Sequence, residues 1–147
     1  MTPPVRPVGL HRSRVEWIDT DAAGIYHNSA VLRFVEAAEA TLITERGLAG
    51  YWPAAPRVRY EVDFEAPLFF GQEVTTTVAL ARLGSSSMTF EFEVWGEAHL
   101  ERPRIRAARG SYVTVHIEGG YDPRGFRPVS AAPWPDAWVE ALSARPR

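Results

Sequence analysis

The sequence predicts an α+β domain in which an antiparallel sheet of about five strands wraps around one long central helix. Three observations predict it: a single helical apolar pattern over residues 29–46, a short period-two stretch before it, and near-continuous period-two alternation from Arg57 to Ile117.

A proline-rich lead, residues 1–9, precedes a domain placed at 10–118 and a turn-rich tail at 119–147 that begins at Gly119-Gly120. The first strand is expected over residues 11–18, where Ser13, Val15 and Trp17 alternate with Arg12, Arg14 and Glu16, and it stops at Asp19. The helix follows, with Asn28 or Ser29 as its cap and Gly47 as its left-handed stop. Its residues Ala30, Val31, Phe34, Val35, Ala38, Thr41 and Leu42 share one face, which should meet the sheet, while Leu32 and Ile43 fall nearly opposite. Apolar residues on two faces predict cover on both, and Glu36 and Glu39 flank the second face. From Arg57, residues Val58, Tyr60, Val62 and Phe64 alternate with charged neighbours, so one face of that strand is expected to be wet. Further strands are expected over residues 73–83, 88–95 and 105–117, separated by turns at Gly84-Ser85-Ser86 and at 97–103. A short tail helix starts from Pro135, and Trp134, Trp138 and Leu142 should dock on the domain.

Composition removes several classes of function. The 147 residues are 46% hydrophobic and 12% aromatic, enough for a real core and too apolar for disorder. With 16 Lys and Arg against 18 Asp and Glu, the net charge of -2 gives no attraction toward nucleic acid. There is no cysteine, which excludes disulfides, thiolate nucleophiles and Cys-ligated zinc. The four histidines His11, His27, His99 and His116 form no metal-binding spacing. No run approaches the ~18 apolar residues of a membrane span, and the prolines near the start do not suit a signal peptide, so a soluble, unprocessed cytoplasmic protein is expected. The chain also lacks the Gly-x-Ser-x-Gly elbow of Ser-His-Asp hydrolases and both glycine-rich phosphate-binding motifs.

The junction from Asp19 to Asn28 remains, where a strand ends, a glycine turn follows and a helix begins. A helix N-terminus offers unpaired N–H groups and partial positive charge, which can hold the oxyanion formed when a carbonyl is attacked. Gly24 permits close backbone approach to a ligand. A nearby aspartate can attack the carbonyl or take a proton from water. The same aspartates can equally well cap the turn, so spacing alone leaves both readings open.

The segment Asp19-Thr20-Asp21-Ala22-Ala23-Gly24-Ile25-Tyr26-His27-Asn28, followed by Leu32-Arg33-Phe34-Val35-Glu36-Ala37-Ala38, resembles the signature of the 4-hydroxybenzoyl-CoA thioesterase-like hotdog family. Two later stretches, Phe64 to Val74 and Ser85 to Phe90, are similar to that family's next strand, turn and hairpin. The resemblance, which spans about residues 10–118, implies a hotdog fold and hydrolysis of an acyl-CoA to free acid and CoA. It implies Asp21 as nucleophile or general base and a structural Asp19. It also implies an oxyanion hole in the backbone of Gly24, Ile25, Tyr26, His27 and Asn28, that of Asn28 above all. Glu36 corresponds to a helix carboxylate facing substrate, with a dimer-facing salt bridge as its other reading. Ser86 is a binding or turn residue, and Arg82, Arg124 and Arg127 are candidates for the CoA phosphates. Neither metal nor organic cofactor is implied, and the expected assembly is a homodimer or homotetramer with shared active sites.

The sequence departs from that pattern at Asn28, where many relatives carry an aromatic or histidine residue, and at Ala30-Val31, where they carry Asn-Tyr. Loss of the tyrosine alters the implied acyl pocket and puts an aromatic, phenol-binding substrate in doubt. His27 either orients water or thioester or serves as a packing or capping residue. Two rivals stand beside hydrolysis: a hotdog enoyl-CoA hydratase or dehydratase using Asp21 and His27, and a non-catalytic acyl-CoA-binding module.

Overall fold

The computed structural model describes residues 6–118, 124–125 and 130–143. The glycine pair at 119–120 and the start of the proline-rich lead lie outside them. In chain order the elements are β1 (Val8–Arg14), α1 (Ala30–Arg46), α2 (Tyr51–Ala54), β2 (Arg57–Phe64), β3 (Glu73–Leu83), β4 (Ser87–Gly96), β5 (Ile105–Val115) and α3 (Asp136–Ser143). The five strands form one antiparallel sheet in the order β1-β3-β4-β5-β2, with α1 packed chiefly on β1, β3 and β4. This is the hotdog arrangement expected from the sequence.

The helix face carrying Ala30, Val31, Phe34, Val35, Ala38 and Leu42 is buried, as its spacing requires, and it meets Val74, Val78, Phe90, Phe92 and Val94 from the inner face of the sheet. Gly9 lets β1 come close under the helix. A Cβ at that position would sit 2.3 Å from the Ala38 carbonyl oxygen, so a side chain would force the two elements apart. Ile43, placed by spacing on the second face, is buried within the protomer itself, whereas Leu32 and Glu36 stay exposed.

Two expected strand patterns are corrected. The first strand covers Val8–Arg14 rather than residues 11–18, and Trp17 is 78% exposed instead of facing the core. Asp19 causes the difference: its carboxylate accepts the Glu16 N–H at 2.7 Å and closes a 3-10 turn over Trp17–Asp19, which takes the chain out of the ladder. The ring of Trp17 then packs edge-on against exposed Phe70. In β2 a bulge between Arg57 and Arg59 sets two residues against one, so Val58 turns outward at 61% exposure and Arg57 turns in. The tail docks as its tryptophans predicted. Trp134, Trp138 and Leu142 are buried, and His116 stacks on Trp134 while making an edge contact with Trp138. Arg46, at the end of α1, donates to the Ala141 carbonyl.

Candidate active site

The candidate site grows from the turn between β1 and α1. Asp19 is 4% exposed and fully engaged: its carboxylate receives Glu16 N–H and the Nε and Nη2 of Arg33, and its carbonyl receives His27 N–H at 2.5 Å. Arg33 lies on the first turns of α1 and also donates to the Arg14 carbonyl, so one guanidinium ties strand end, turn and helix together. Asp19 therefore fixes the site without being free to act in it.

Asp21 differs in every respect. It is exposed, one carboxylate oxygen accepts Ala23 N–H at 2.8 Å, and the other has no hydrogen-bond partner among the described residues. Gly24 makes the tight return possible at φ +79°, donating its N–H to the Asp21 carbonyl while Asp21 N–H donates to Ile25. The chain then reaches the helix through Asn28, whose backbone N–H meets no acceptor among the described residues. Ser29, expected as cap, makes no side-chain capping bond. Instead His27 Nδ1 accepts Ser29 N–H at 3.1 Å and pairs with the Ser29 hydroxyl at 2.7 Å. With Nδ1 accepting, neutral His27 carries its proton on Nε2.

Asp21, Ile25, Tyr26, His27 and Asn28 line one pocket of about 440 Å³ together with Phe64, Ala66 and Pro67. The last three were missed as site residues, and the only sequence signal for them was the resemblance of the stretch that starts at Phe64. Tyr26 forms an apolar wall: its ring lies 6.4 Å from that of Phe64, its hydroxyl donates to the Ala107 carbonyl at 3.4 Å, and burial pushes its pKa up to about 12. It is thus a neutral phenol at physiological pH and no base. A larger depression of about 750 Å³ lies on the outer face, walled by Arg12, Arg14, Glu73, Glu97 and Arg104. There Arg14 pairs with Glu73 and Arg104 with Glu97, while Arg12 adds one further positive charge near Glu97, and no carboxylate of this lining stands free of an ion pair.

A second support holds the pocket from below. Tyr26 N–H donates to the Leu68 carbonyl, and Ile25 bridges to Phe69. The buried amide of Gln72 accepts Phe69 N–H at 3.1 Å and donates to the Glu97 carbonyl at 2.9 Å. Truncating it leaves two backbone groups unpaired, so Gln72→Ala is expected to cost about 2 kcal/mol of stability in a urea titration. A loss under about 0.5 kcal/mol would show that water replaces the amide without penalty.

Other predicted site residues are not brought to Asp21 within the protomer. Glu36 is exposed on α1, outside the pocket lining. Ser86 lies in the β3–β4 turn, where its carbonyl accepts His116 N–H. Arg82 is exposed near the far end of β3, about 30 Å along the strand from the Asp21 end. Arg124 is exposed, and Arg127 lies outside the described residues. No group of three or more His, Asp or Glu side chains suited to a metal ion occurs among the described residues, and no described helix is long and apolar enough to cross a membrane.

The fold and pocket define a class that comparison makes explicit. A model of the thioesterase superfamily matches residues 23–101, more than half of the chain, and the chain belongs to that family. The match begins just past Asp21, so the case for that residue rests on its geometry. Among solved structures, the chain is 28% identical to a thioesterase from Thermus thermophilus complexed with coenzyme A and zinc, at a TM-score of 0.76 over 92% of that chain and 93% of this one. A hypothetical protein from the same species is 26% identical, with a TM-score of 0.76 over 97% of that chain and 92% of this one. The 4-hydroxybenzoyl CoA thioesterase from Pseudomonas sp. strain CBS-3 shares the fold at 17% identity, with a TM-score of 0.79 over 99% of that chain and 92% of this one. No curated protein matches the chain. The protein is a thioesterase by family.

Proposed function

We propose that the protein hydrolyses acyl-CoA thioesters to a free carboxylic acid and CoA, with Asp21 as the reacting carboxylate. One observation carries this reading: the free oxygen of Asp21 and the unpaired N–H of Asn28 flank the same apolar-walled pocket. A thioester carbonyl seated between them has an attacking group on one side and a hydrogen-bond donor for its developing oxyanion on the other. As nucleophile, Asp21 displaces the CoA thiolate and forms an anhydride, which water then opens. As general base, it takes a proton from the attacking water, and the thiolate leaves as the tetrahedral adduct collapses. Both routes regenerate the carboxylate and need no second substrate but water. His27 Nε2–H completes the polar rim, whereas the backbone N–H groups of Gly24, Tyr26 and His27, expected to share in the oxyanion hole, are already donated to the carbonyls of Asp21, Leu68 and Asp19.

The site is built from two protomers in this reading. Support comes from β2, an unpaired sheet edge carrying exposed Val58 and Phe64, and from Leu32 and Glu36, which are open on the neighbouring helix face. Arg82, Ser86, Arg124 and Arg127 then act on CoA bound at the partner's Asp21 end, and Glu36 faces across the interface. Thiol release from a panel of short, medium, long and aryl acyl-CoAs, by the parent protein and by Asp21→Asn, tests the proposal. Equal release by both removes Asp21 from the reaction. Binding without release identifies an acyl-CoA-binding module, and hydration of an enoyl-CoA identifies a hydratase.

A further inference from the structure

A serine just ahead of a helix normally turns its hydroxyl forward to accept an N–H of the first turn. Ser29 holds that position before α1, at φ -69° and ψ -17°, yet its side chain makes no such bond. It turns back instead. The Ser29 hydroxyl meets His27 Nδ1 at 2.7 Å, and the Ser29 N–H donates to the same nitrogen at 3.1 Å. The backbone group decides the form of the ring. A hydroxyl can donate or accept, but an N–H only donates, so Nδ1 is the acceptor and the ring proton sits on Nε2. With Nδ1 occupied, Nε2–H is what the imidazole has left to offer, and it meets no acceptor among the described residues.

The reactive turn is short of donors. Its N–H groups at Gly24, Tyr26 and His27 go to the carbonyls of Asp21, Leu68 and Asp19, while that of Asn28 stays open. An oxyanion has lone pairs for more than one donor, and Asn28 supplies one. His27 and Asn28 are adjacent in the chain, and both line the pocket that Asp21 borders. We infer that Ser29 is a positioning residue, which holds His27 so that its Nε2–H joins Asn28 N–H as the second donor to the oxyanion. The imidazole gives a hydrogen bond and keeps its proton, so it polarises the carbonyl without taking part in proton transfer. A ring held in this form is no base, because its one in-plane lone pair already faces Ser29. That separates His27 from the acid–base partner a hydratase would require.

The inference rests on the acyl-CoA reading, but one arm of its test needs no turnover. Nitrogen NMR of the parent protein at mildly alkaline pH is expected to show His27 protonated at Nε2 and bare at Nδ1, and a proton on Nδ1 overturns the inference. The second arm reads kcat and KM for thiol release. His27→Asn keeps an acceptor for Ser29 where Nδ1 stood and has no atom at the place of Nε2, so kcat is expected to fall about a hundredfold with little change in KM. His27→Gln, whose amide N–H reaches toward the Nε2 position, is expected to recover about tenfold of that loss. Ser29→Ala is expected to slow kcat about fivefold in the parent and not at all in the His27→Asn background, while Ser29→Thr, which keeps the hydroxyl, stays within about twofold of the parent. Because His27 and Ser29 are exposed, thermal unfolding is expected to shift by no more than about 2 °C in any of these variants. No loss from Ser29→Ala in the parent, or the same loss in both backgrounds, overturns the inference, and so does a His27→Asn rate within about threefold of the parent. Absence of thiol release by the parent from every acyl-CoA sinks the proposed function and this inference with it, whereas release that survives Asp21→Asn, with the His27 and Ser29 effects intact, sinks only the assignment of Asp21.

Discussion

The Asp21→Asn variant is expected to release thiol from its best acyl-CoA about a hundred- to ten-thousandfold more slowly than the parent protein while unfolding at nearly the same temperature. Asparagine keeps the shape of the side chain, and its carbonyl oxygen can still accept the Ala23 N–H that holds the turn. What disappears is the charged second oxygen, the group free to attack or to take a proton. Because Asp21 is exposed and joins no ion pair among the described residues, the change costs the fold little. The loss should fall on kcat rather than KM, since the apolar walls formed by Tyr26, Phe64 and Pro67 are untouched. A variant that keeps its melting temperature and more than half of the parent rate would move the chemistry to another residue.

The largest effect on stability is expected at Arg57. Arg57 Nη2 donates to Oε1 of buried Glu39 at 2.8 Å, so Arg57→Ala leaves that carboxylate buried with its main partner gone, and breaking such a pair from one side costs about 3–5 kcal/mol. The penalty should depend on pH in a defined direction. Burial pushes the Glu39 carboxyl above its ordinary value of 4.5 even though Arg57 opposes the shift. A carboxyl raised by folding favours the folded state at pH below its unfolded value, and that contribution is lost as pH rises through the folded value. Removing Arg57 removes the opposing attraction and widens the gap between the two values. The deficit of the variant relative to the parent is therefore expected to be greatest at neutral pH and to shrink as the solution is acidified. Carboxylates such as exposed Glu65 and half-buried Glu97, held low by Arg106 and Arg104, weaken both proteins in acid and cancel in the difference. Paired urea titrations across the acid range check this, and a deficit that does not shrink with acid would mean that lost packing over the Tyr112 ring, not charge, carries the effect.

The same two residues mark where sequence reading ends. The turn that carries Asp21, Gly24 and Asn28 was legible because it is built within ten consecutive residues, whereas the choice of Asp21 over Asp19, and of the Asn28 N–H, came only from the family resemblance. Spans of β3, β4 and α1 were legible because their apolar periods are long and unbroken. The partnership of Glu39 with Arg57 was not, since it joins a helix to a strand through folding alone, and both residues read as surface charges in their own patterns. Val58 misled for a related reason. One inserted residue at the bulge reverses which face a strand position takes, and alternation gives no sign of it. Trp17 likewise sat in good alternation until the Asp19 carboxylate closed the turn beneath it. Phe64, Ala66 and Pro67 reach the pocket because β2 ends beside the turn, a fact of sheet order rather than of any local motif.

The docking of the tail gives the molecule an optical asymmetry. Of its five tryptophans, Trp134 and Trp138 lie within 5.9 Å of each other and within 6.3 Å and 5.7 Å of Tyr51, in a chiral cluster that does not include the solvent-facing indole of Trp17. Exciton coupling between indoles thus belongs to the Trp134–Trp138 pair of the tail, and collisional quenching of fluorescence falls chiefly on Trp17 and on the half-exposed Trp52, which packs edge-on against Tyr51. Docking of the tail can therefore be followed by dichroism in one cuvette and without an attached dye.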